Sequence, residues 1–344
     1  LGVIVHHKKI YDFTDDINPL GTSKRIKNSI RKSIKHIEAY NELPLFLFIR
    51  HLEKLFNIKK ENILVGHGFY HIFSCVLKIL KGKKILIPSP VSNSYRFFAE
   101  DGGIEILPYK MDIQDDNYCN IEILRQLFDK VDLILLPNPH NVTGKTLNNK
   151  QIEEIIGLAE DMKKAVIIDE SLIDYTDMPI YKEHIVKSDY SLIIRTFSTY
   201  HGLAGLPFGY AIGPANLIED LKKYICPFSS TIPPFACSAA LVSMKDSRYK
   251  KRTYEYIGLE KAYIKDRLKN YKHIRFIDRG CNFLILEIEG KKDTVLDFFY
   301  KRGINIDIYE ESGGLLVRLP IKKHKLNAYF VKTLKNMIDG AGQC

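Results

Sequence analysis

Through the middle of the chain, short apolar runs alternate with amphipathic stretches. Residues 84–88, 104–109, 131–136, 165–169, 191–195 and 208–212 are rich in Ile, Leu and Val, and most are followed by turn residues. Such runs read as strands buried on both faces. Between them, residues 69–80 put Ile72, Phe73, Val76, Leu77 and Leu80 on one helical face, and residues 149–163 do the same with Ile152, Ile155, Ile156 and Ala159. Buried strands separated by helices predict an α/β domain with a mainly parallel sheet flanked by helices. The pattern changes near Pro227. Residues 243–272 read as one long charged helix or two shorter ones. Strand-like runs at 274–277, 283–289, 304–308 and 315–319 follow, with helical segments at 293–301 and 325–338. That order predicts a smaller α+β C-terminal domain.

Composition narrows the function classes. The chain has 344 residues, 45% of them hydrophobic, enough for a large core. No apolar run is long enough to span a bilayer, and residues 1–9 lack the regions of a signal peptide. Cys75, Cys119, Cys226, Cys237, Cys281 and Cys344 lie far apart, without metal or redox spacing, so reduced thiols in a cytoplasmic protein and no metal site are expected. The formal net charge is +10, but the basic residues are scattered among acidic ones. A solvated lysine-rich surface is expected rather than a nucleic-acid or membrane partner. The charge would also favour phosphorylated metabolites.

A parallel sheet places its ligand loops at the carboxyl ends of its strands. Three of those ends carry candidate chemistry. Pro137-Asn138-Pro139-His140-Asn141-Val142-Thr143-Gly144 is a turn-rich loop that exposes side-chain amides; taken alone, a backbone turn explains it equally well. Asp169-Glu170 ends an apolar strand, where a carboxylate is costly unless paired. It serves either chemistry or the ordering of a loop. The stretch from Arg195 to Tyr210 combines the hydroxyls of Thr196, Ser198 and Thr199 with several glycines. It reads as a phosphate-holding loop or as an ordinary glycine-rich connection.

Taken together and in order, these segments resemble the fold-type-I pyridoxal-phosphate enzymes of the class I/II aminotransferase family, nearest to histidinol-phosphate aminotransferase and threonine-phosphate decarboxylase. The first loop is similar to the family's Asn-Pro-Asn-Asn-Pro-Thr-Gly, the second to its Asp-Glu-Ala, and the third to its Ser/Thr-Phe-Ser-Lys…Gly-Leu-Ala-Gly-Leu-Arg segment. Asp15-Asp16-Ile17-Asn18-Pro19-Leu20-Gly21 resembles the Asn-Ile-Asn-Pro-Leu-Gly opening of threonine-phosphate decarboxylases, and Val65-Gly66-His67-Gly68 the family's Gly-Asn-Gly turn. The resemblance covers essentially the whole chain. It implies an aspartate-aminotransferase-like fold with a seven-stranded-type sheet. The implied division is an N-terminal arm and part of the small domain (1–40), a large domain (41–226) and a small C-terminal domain (227–344).

The resemblance also implies roles. Asp169 would pair with the cofactor's ring nitrogen and Asn141 with its ring hydroxyl. Gly68, Phe69 and Tyr70, at a helix start, would cradle the phosphate together with Thr196, Ser198 and, across a homodimer, Tyr40. Arg318 would hold a substrate carboxylate, beside Asn18, Leu20 and Gly21.

The match breaks at Thr199, which stands where the family keeps its catalytic lysine. Threonine forms no imine and is a poor base near neutral pH. Pro207 replaces a phosphate-pairing arginine, Ser92 a stacking aromatic and His67 an asparagine, while Phe69 and Tyr70 are bulky where small residues are usual. The resulting expectation is a family member with a degenerate site. Its pyridoxal or pyridoxamine phosphate would be weakly and non-covalently held, and its ligand a small phosphorylated amino-acid-like molecule. The alternative is an active decarboxylase or aminotransferase, for example in cobalamin biosynthesis, that uses another base such as His201.

Overall fold

The computed structural model describes residues 10–38, 42–80, 83–115, 118–177, 182–225, 232–311 and 314–341. The chain divides into two compact units, residues 22–247 and residues 1–21 with 248–344. In chain order the strands are β1 (Tyr11–Phe13), β2 (Ile63–Gly66), β3 (Lys84–Ser89), β4 (Glu105–Lys110), β5 (Leu133–Pro137), β6 (Ala165–Asp169), β7 (Ser191–Thr196), β8 (Gly209–Ile212), β9 (Arg275–Ile277), β10 (Phe283–Ile288), β11 (Ile304–Glu311) and β12 (Gly314–Pro320). The helices are α1 (Lys24–Ser33), α2 (Leu43–Phe56), α3 (Phe69–Leu80), α4 (Asn93–Gly102), α5 (Ile121–Phe128), α6 (Asn149–Met162), α7 (Lys182–Ile185), α8 (Ala215–Lys222), α9 (Pro234–Met244), α10 (Ser247–Leu268), α11 (Lys292–Lys301) and α12 (His324–Ala341).

The larger unit is built on a seven-stranded sheet of order β2-β8-β7-β6-β5-β3-β4. Neighbours from β7 through β4 pair in parallel, and β8 runs antiparallel to both β7 and β2. The sheet is therefore mainly parallel, as the apolar runs predict. Side chains alternate across it with the period of two expected of a strand. Ile134, Leu136, Val166, Ile168 and Ile193 face one core with α1, α2, α6 and α9. Leu133, Leu135, Ile167, Leu192 and Ile194 face the other, with α3 and α8. Residues 22–38 and 232–247 group with this unit rather than with the smaller one, because Ile26 of α1 and Phe48 and Leu52 of α2 share a core with Ala236, Cys237, Ala239 and Ala240 of α9.

Phe48 ties α2 to the connection between β7 and β8. It is fully buried, with its ring 4.9 Å from Phe208, 5.8 Å from Phe197 and 5.9 Å from Tyr210, all edge-on. Edge-to-face pairs at these separations add to burial. They brace the connection between β7 and β8, which carries Ser198 and Thr199.

The smaller unit holds a five-stranded sheet of order β1-β11-β12-β10-β9, antiparallel except for the β1–β11 pair. The charged stretch expected at 243–272 is helical as α10, while α9 ends at Met244 ahead of it. Tyr249, Thr253, Ile257, Ile264 and Leu268 form the buried stripe of α10. No helix among the described residues is long and apolar enough to cross a membrane.

Candidate functional site

The carboxyl ends of β6 and β7 and the start of α3 lie in the larger unit and gather most of the sequence candidates. Asp169 ends β6 and is 7% exposed. Burial pushes its carboxyl up, and donors from Ser171 and Tyr95 oppose that shift. Its Oδ1 accepts from the Ser171 backbone N–H at 2.8 Å and from the Ser171 hydroxyl, and its Oδ2 accepts from the Tyr95 hydroxyl. Burial and the neighbouring Asp169 charge push the Tyr95 phenol well above its ordinary value, so it stays a neutral donor. Ser92, the N-cap of α4, lies one turn before Tyr95 and sets where that helix starts.

Asn141 follows a cis Asn138–Pro139 bond. Its Nδ2 donates to the Ser92 hydroxyl at 2.9 Å. The loop is held by the fully buried His140. The backbone N–H groups of Val142 and Thr143 donate to His140 Nδ1 at 3.3 and 3.1 Å. Nε2 is therefore the protonated nitrogen, and it donates to the Pro88 carbonyl at 3.1 Å.

Gly68 precedes α3 with φ +83°, a conformation that favours glycine. The Thr196 and Ser198 hydroxyls are 3.0 Å apart, and a Cβ on Gly68 would lie 3.7 Å from Thr196 Oγ1. The first turn of α3 carries no acidic residue. Free N–H groups, a favourable dipole and two hydroxyls together suit a phosphate. Gly209 of β8 makes the arrangement possible. A Cβ there would sit 2.6 Å from the Arg195 carbonyl oxygen and 3.0 Å from Gly68 Cα. The Phe69 ring turns inward onto Phe73 and Tyr95, with centroids 5.3 and 5.9 Å away, while Tyr70 packs on Phe98.

Thr199 Oγ1 donates to the Ser171 carbonyl at 2.7 Å. His201 is 5% exposed, and its Nε2 lies 3.2 Å from Asp174 Oδ2. It belongs to a buried network that the sequence reading passed over. Arg195 Nη2 is 2.7 Å from Asp174 Oδ1, its Nη1 donates to the Tyr210 hydroxyl at 3.1 Å, and its Nε is 3.6 Å from Glu170 Oε2. Burial pushes the Glu170 carboxyl up to about 7, against the pull of Arg195. The sequence signal for this network was present in the adjacent Asp169-Glu170 pair and in Arg195 at a strand end.

This gives a pH prediction. Glu170 binds its proton more tightly in the folded chain than in the unfolded one. Its contribution is therefore complete below the unfolded value of roughly 4.3 and is lost as pH rises through about 7. Urea unfolding between pH 5 and pH 8 should show stability falling by on the order of 3 kcal/mol. Glu170→Gln should flatten that dependence; an unchanged slope in the variant would assign it elsewhere.

In the smaller unit, Arg318 lies on β12 and is 2% exposed, with Nη2 2.6 Å from Asp16 Oδ1. Asn18 is buried and donates to Thr253 Oγ1 at 3.0 Å, while its Oδ1 accepts from Leu20 N–H and its carbonyl from Gly21 N–H. Asn18, Leu20 and Gly21 thus form one tight turn. Tyr40 lies outside the described residues, as do Cys226, Pro227 and Cys344. Cys75, Cys119, Cys237 and Cys281 are buried and form no disulfide, and burial raises each thiol. Among the described residues no cluster could hold a metal ion.

Residues 12–318 match the family model for aminotransferase class I and II. The chain is 29% identical to a histidinol-phosphate aminotransferase of Methanococcus aeolicus, over 94% of this chain and 88% of that one. It is 26% identical to a protein of Caldanaerobacter subterraneus subsp. tengcongensis, provisionally named a threonine-phosphate decarboxylase, over 97% and 94%. It shares its fold with the histidinol-phosphate aminotransferase of Sinorhizobium meliloti solved in complex with pyridoxal-5'-phosphate, at a TM-score of 0.82, 17% identity and coverage of 96% and 93%. This chain belongs to the class I and II aminotransferase family, on an aspartate-aminotransferase-type fold.

Proposed function

We propose that this chain is a class I/II aminotransferase-family protein that retains a phosphate-binding site for a small phosphorylated amino-acid-like ligand and does not carry out lysine-based pyridoxal chemistry. The observation that carries this reading is the internal engagement of Asp169 by Tyr95 and Ser171. The family implies pyridoxal phosphate, and that cofactor fits this site only in part. Its phosphate suits the Gly68 turn and the Thr196 and Ser198 hydroxyls. Its ring nitrogen would have to share Asp169 Oδ2 with the Tyr95 phenol, and its ring hydroxyl would have to share the Asn141 amide with Ser92. At the family's lysine position, the Thr199 hydroxyl is turned to the Ser171 carbonyl and offers no amine. His201, one base that a lysine-independent enzyme could use, faces Asp174. The match of residues 17–21 to threonine-phosphate decarboxylases favours a threonine-phosphate-like ligand over histidinol phosphate.

The test is incubation with excess pyridoxal phosphate, borohydride reduction and intact-mass measurement, alongside equilibrium dialysis of radiolabelled inorganic phosphate. Unchanged mass with saturable phosphate binding is expected. A stoichiometric reduced adduct, or transaminase or decarboxylase turnover by the unaltered protein, would sink the reading.

We also infer a homodimer. Leu43, Phe46 and Leu47 of α2 are exposed at 59%, 56% and 45%, beside a groove of about 730 Å³ lined by α2, β2 and His71. An apolar face of this kind favours association. Light scattering should give twice the chain mass for the unaltered protein and the chain mass for Phe46→Glu/Leu47→Glu. A monomer before substitution would overturn the assignment.

A further inference from the structure

The smaller unit contains an ion pair that this reading leaves unexplained. Arg318 is buried on the central region of its sheet, opposite Ile285 of β10 and Asp307 of β11. Its guanidinium lies 4.0 Å from the centre of the Phe283 ring. Burial works against the charge, but Asp16 beside it holds the arginine above its ordinary pKa. Asp307 adds to that effect from the sheet, but the carboxylate in contact with Nη2 comes from outside it. It comes from the segment after β1, where Asp16 is only 16% exposed and its backbone carbonyl accepts from Asn282 Nδ2 at 3.2 Å.

The segment around Asp16 is built to stay in place. The Asp15 carboxylate accepts from the Ile17 N–H at 2.9 Å and from Lys322 Nζ at 2.7 Å, and Lys322 also donates to the Asp15 carbonyl. Asn18 is fixed to Thr253, and the Tyr249 hydroxyl donates to the Gly21 carbonyl. Residues 15–21 are thus a strap whose two adjacent acids each reach a buried cation. A guanidinium fork is the side chain best matched to a carboxylate, and a buried one is strongly destabilised without it.

The geometry points to Asp16 as a built-in carboxylate that closes Arg318 to external ones. Arg318 is therefore engaged within the chain and is not free to hold the carboxylate of a ligand. This masking stands independently of the phosphate-site reading above. The residue that sets it is Asp16, which the family opening fills with asparagine.

The test uses the full chain and acetate as the probe. Thermal unfolding of the unaltered protein and of Asp16→Asn is followed in increasing acetate, with chloride at equal ionic strength as the control. The unaltered protein should respond identically to both salts. Asp16→Asn should melt at a lower temperature in chloride and recover part of the loss saturably in acetate, which supplies the missing group. An acetate-specific rise in the unaltered protein, or none in Asp16→Asn, would overturn the proposal. Should Asp16→Asn fail to fold in chloride, its refolding yield in acetate gives the same readout. In parallel, the ¹⁵N resonance of the Arg318 guanidinium, assigned with Arg318→Lys, should not move with acetate in the unaltered protein; a saturable shift there also refutes the masking. Failure of phosphate binding would refute the functional reading and leave this result standing.

Discussion

Arg195→Leu is expected to lower stability by about 3–5 kcal/mol at pH 8, and by distinctly less at pH 5. Arg195 sits near the end of β7 at 7% exposure and touches two carboxylates, Asp174 at 2.7 Å and Glu170 at 3.6 Å. Leucine fills much of the space but takes the guanidinium away from both acids. Their responses differ. The Asp174 side chain is 34% exposed and regains hydration. The Glu170 side chain is 1% exposed and has no hydration to regain. It can only take up a proton. With arginine present its carboxyl is already raised to about 7; without arginine it rises further, since the positive charge that opposes the shift is gone. At pH 5 the acid is neutral in either protein and the loss is confined to Asp174 and the Tyr210 bond. At pH 8 the variant must bury an unpaired charge or bind a proton against the bulk pH. Urea unfolding at both values decides the matter, and equal losses would show that Glu170 carries no charge in the native state at either pH.

The central strands of the larger sheet were legible because β5, β6, β7 and β8 are buried along their whole length. Residues 165–169, for instance, are continuous apolar sequence closed by an acid, and β6 has those bounds. α3 was equally clear from its single apolar face. α9 was not, because apolar residues occur on every side of it and leave no stripe to read. β2 is four residues long and runs straight into the Gly68 turn, so its sequence reads as the turn alone.

The site divides in the same way. Asp169, Asn141, Thr196 and Ser198 are legible because each ends a strand or follows one closely. What occupies them is not. Tyr95 reaches Asp169 across 74 positions and Asp16 reaches Arg318 across 302, and no local pattern in a single sequence joins such pairs. These long-range partners turn a list of familiar residues into a site already engaged with its own chain.

On the proposed reading, introducing one at a time the residues that the family resemblance implies should separate the causes of that engagement. Thr199→Lys supplies an amine and gives up one hydrogen bond, to the Ser171 carbonyl. Borohydride trapping should then detect an adduct, but only at high pyridoxal phosphate, because Pro207 still contributes neither charge nor N–H beside Gly68. Adding Pro207→Arg supplies a charged donor to the phosphate. Hydrogen bonds to charged groups contribute about 1.5–3 kcal/mol, so half-saturation should fall by about 10- to 100-fold in the double variant. Turnover should remain absent in both, since the Tyr95 phenol still takes Asp169 Oδ2 and leaves the ring nitrogen a shared partner. Tyr95→Phe removes that competitor without removing the ring that packs on Phe69, and it is the third substitution at which activity is expected to emerge. Full cofactor affinity and turnover from Thr199→Lys alone would mean that the lysine position was the single lesion and that Tyr95 yields to the cofactor without cost.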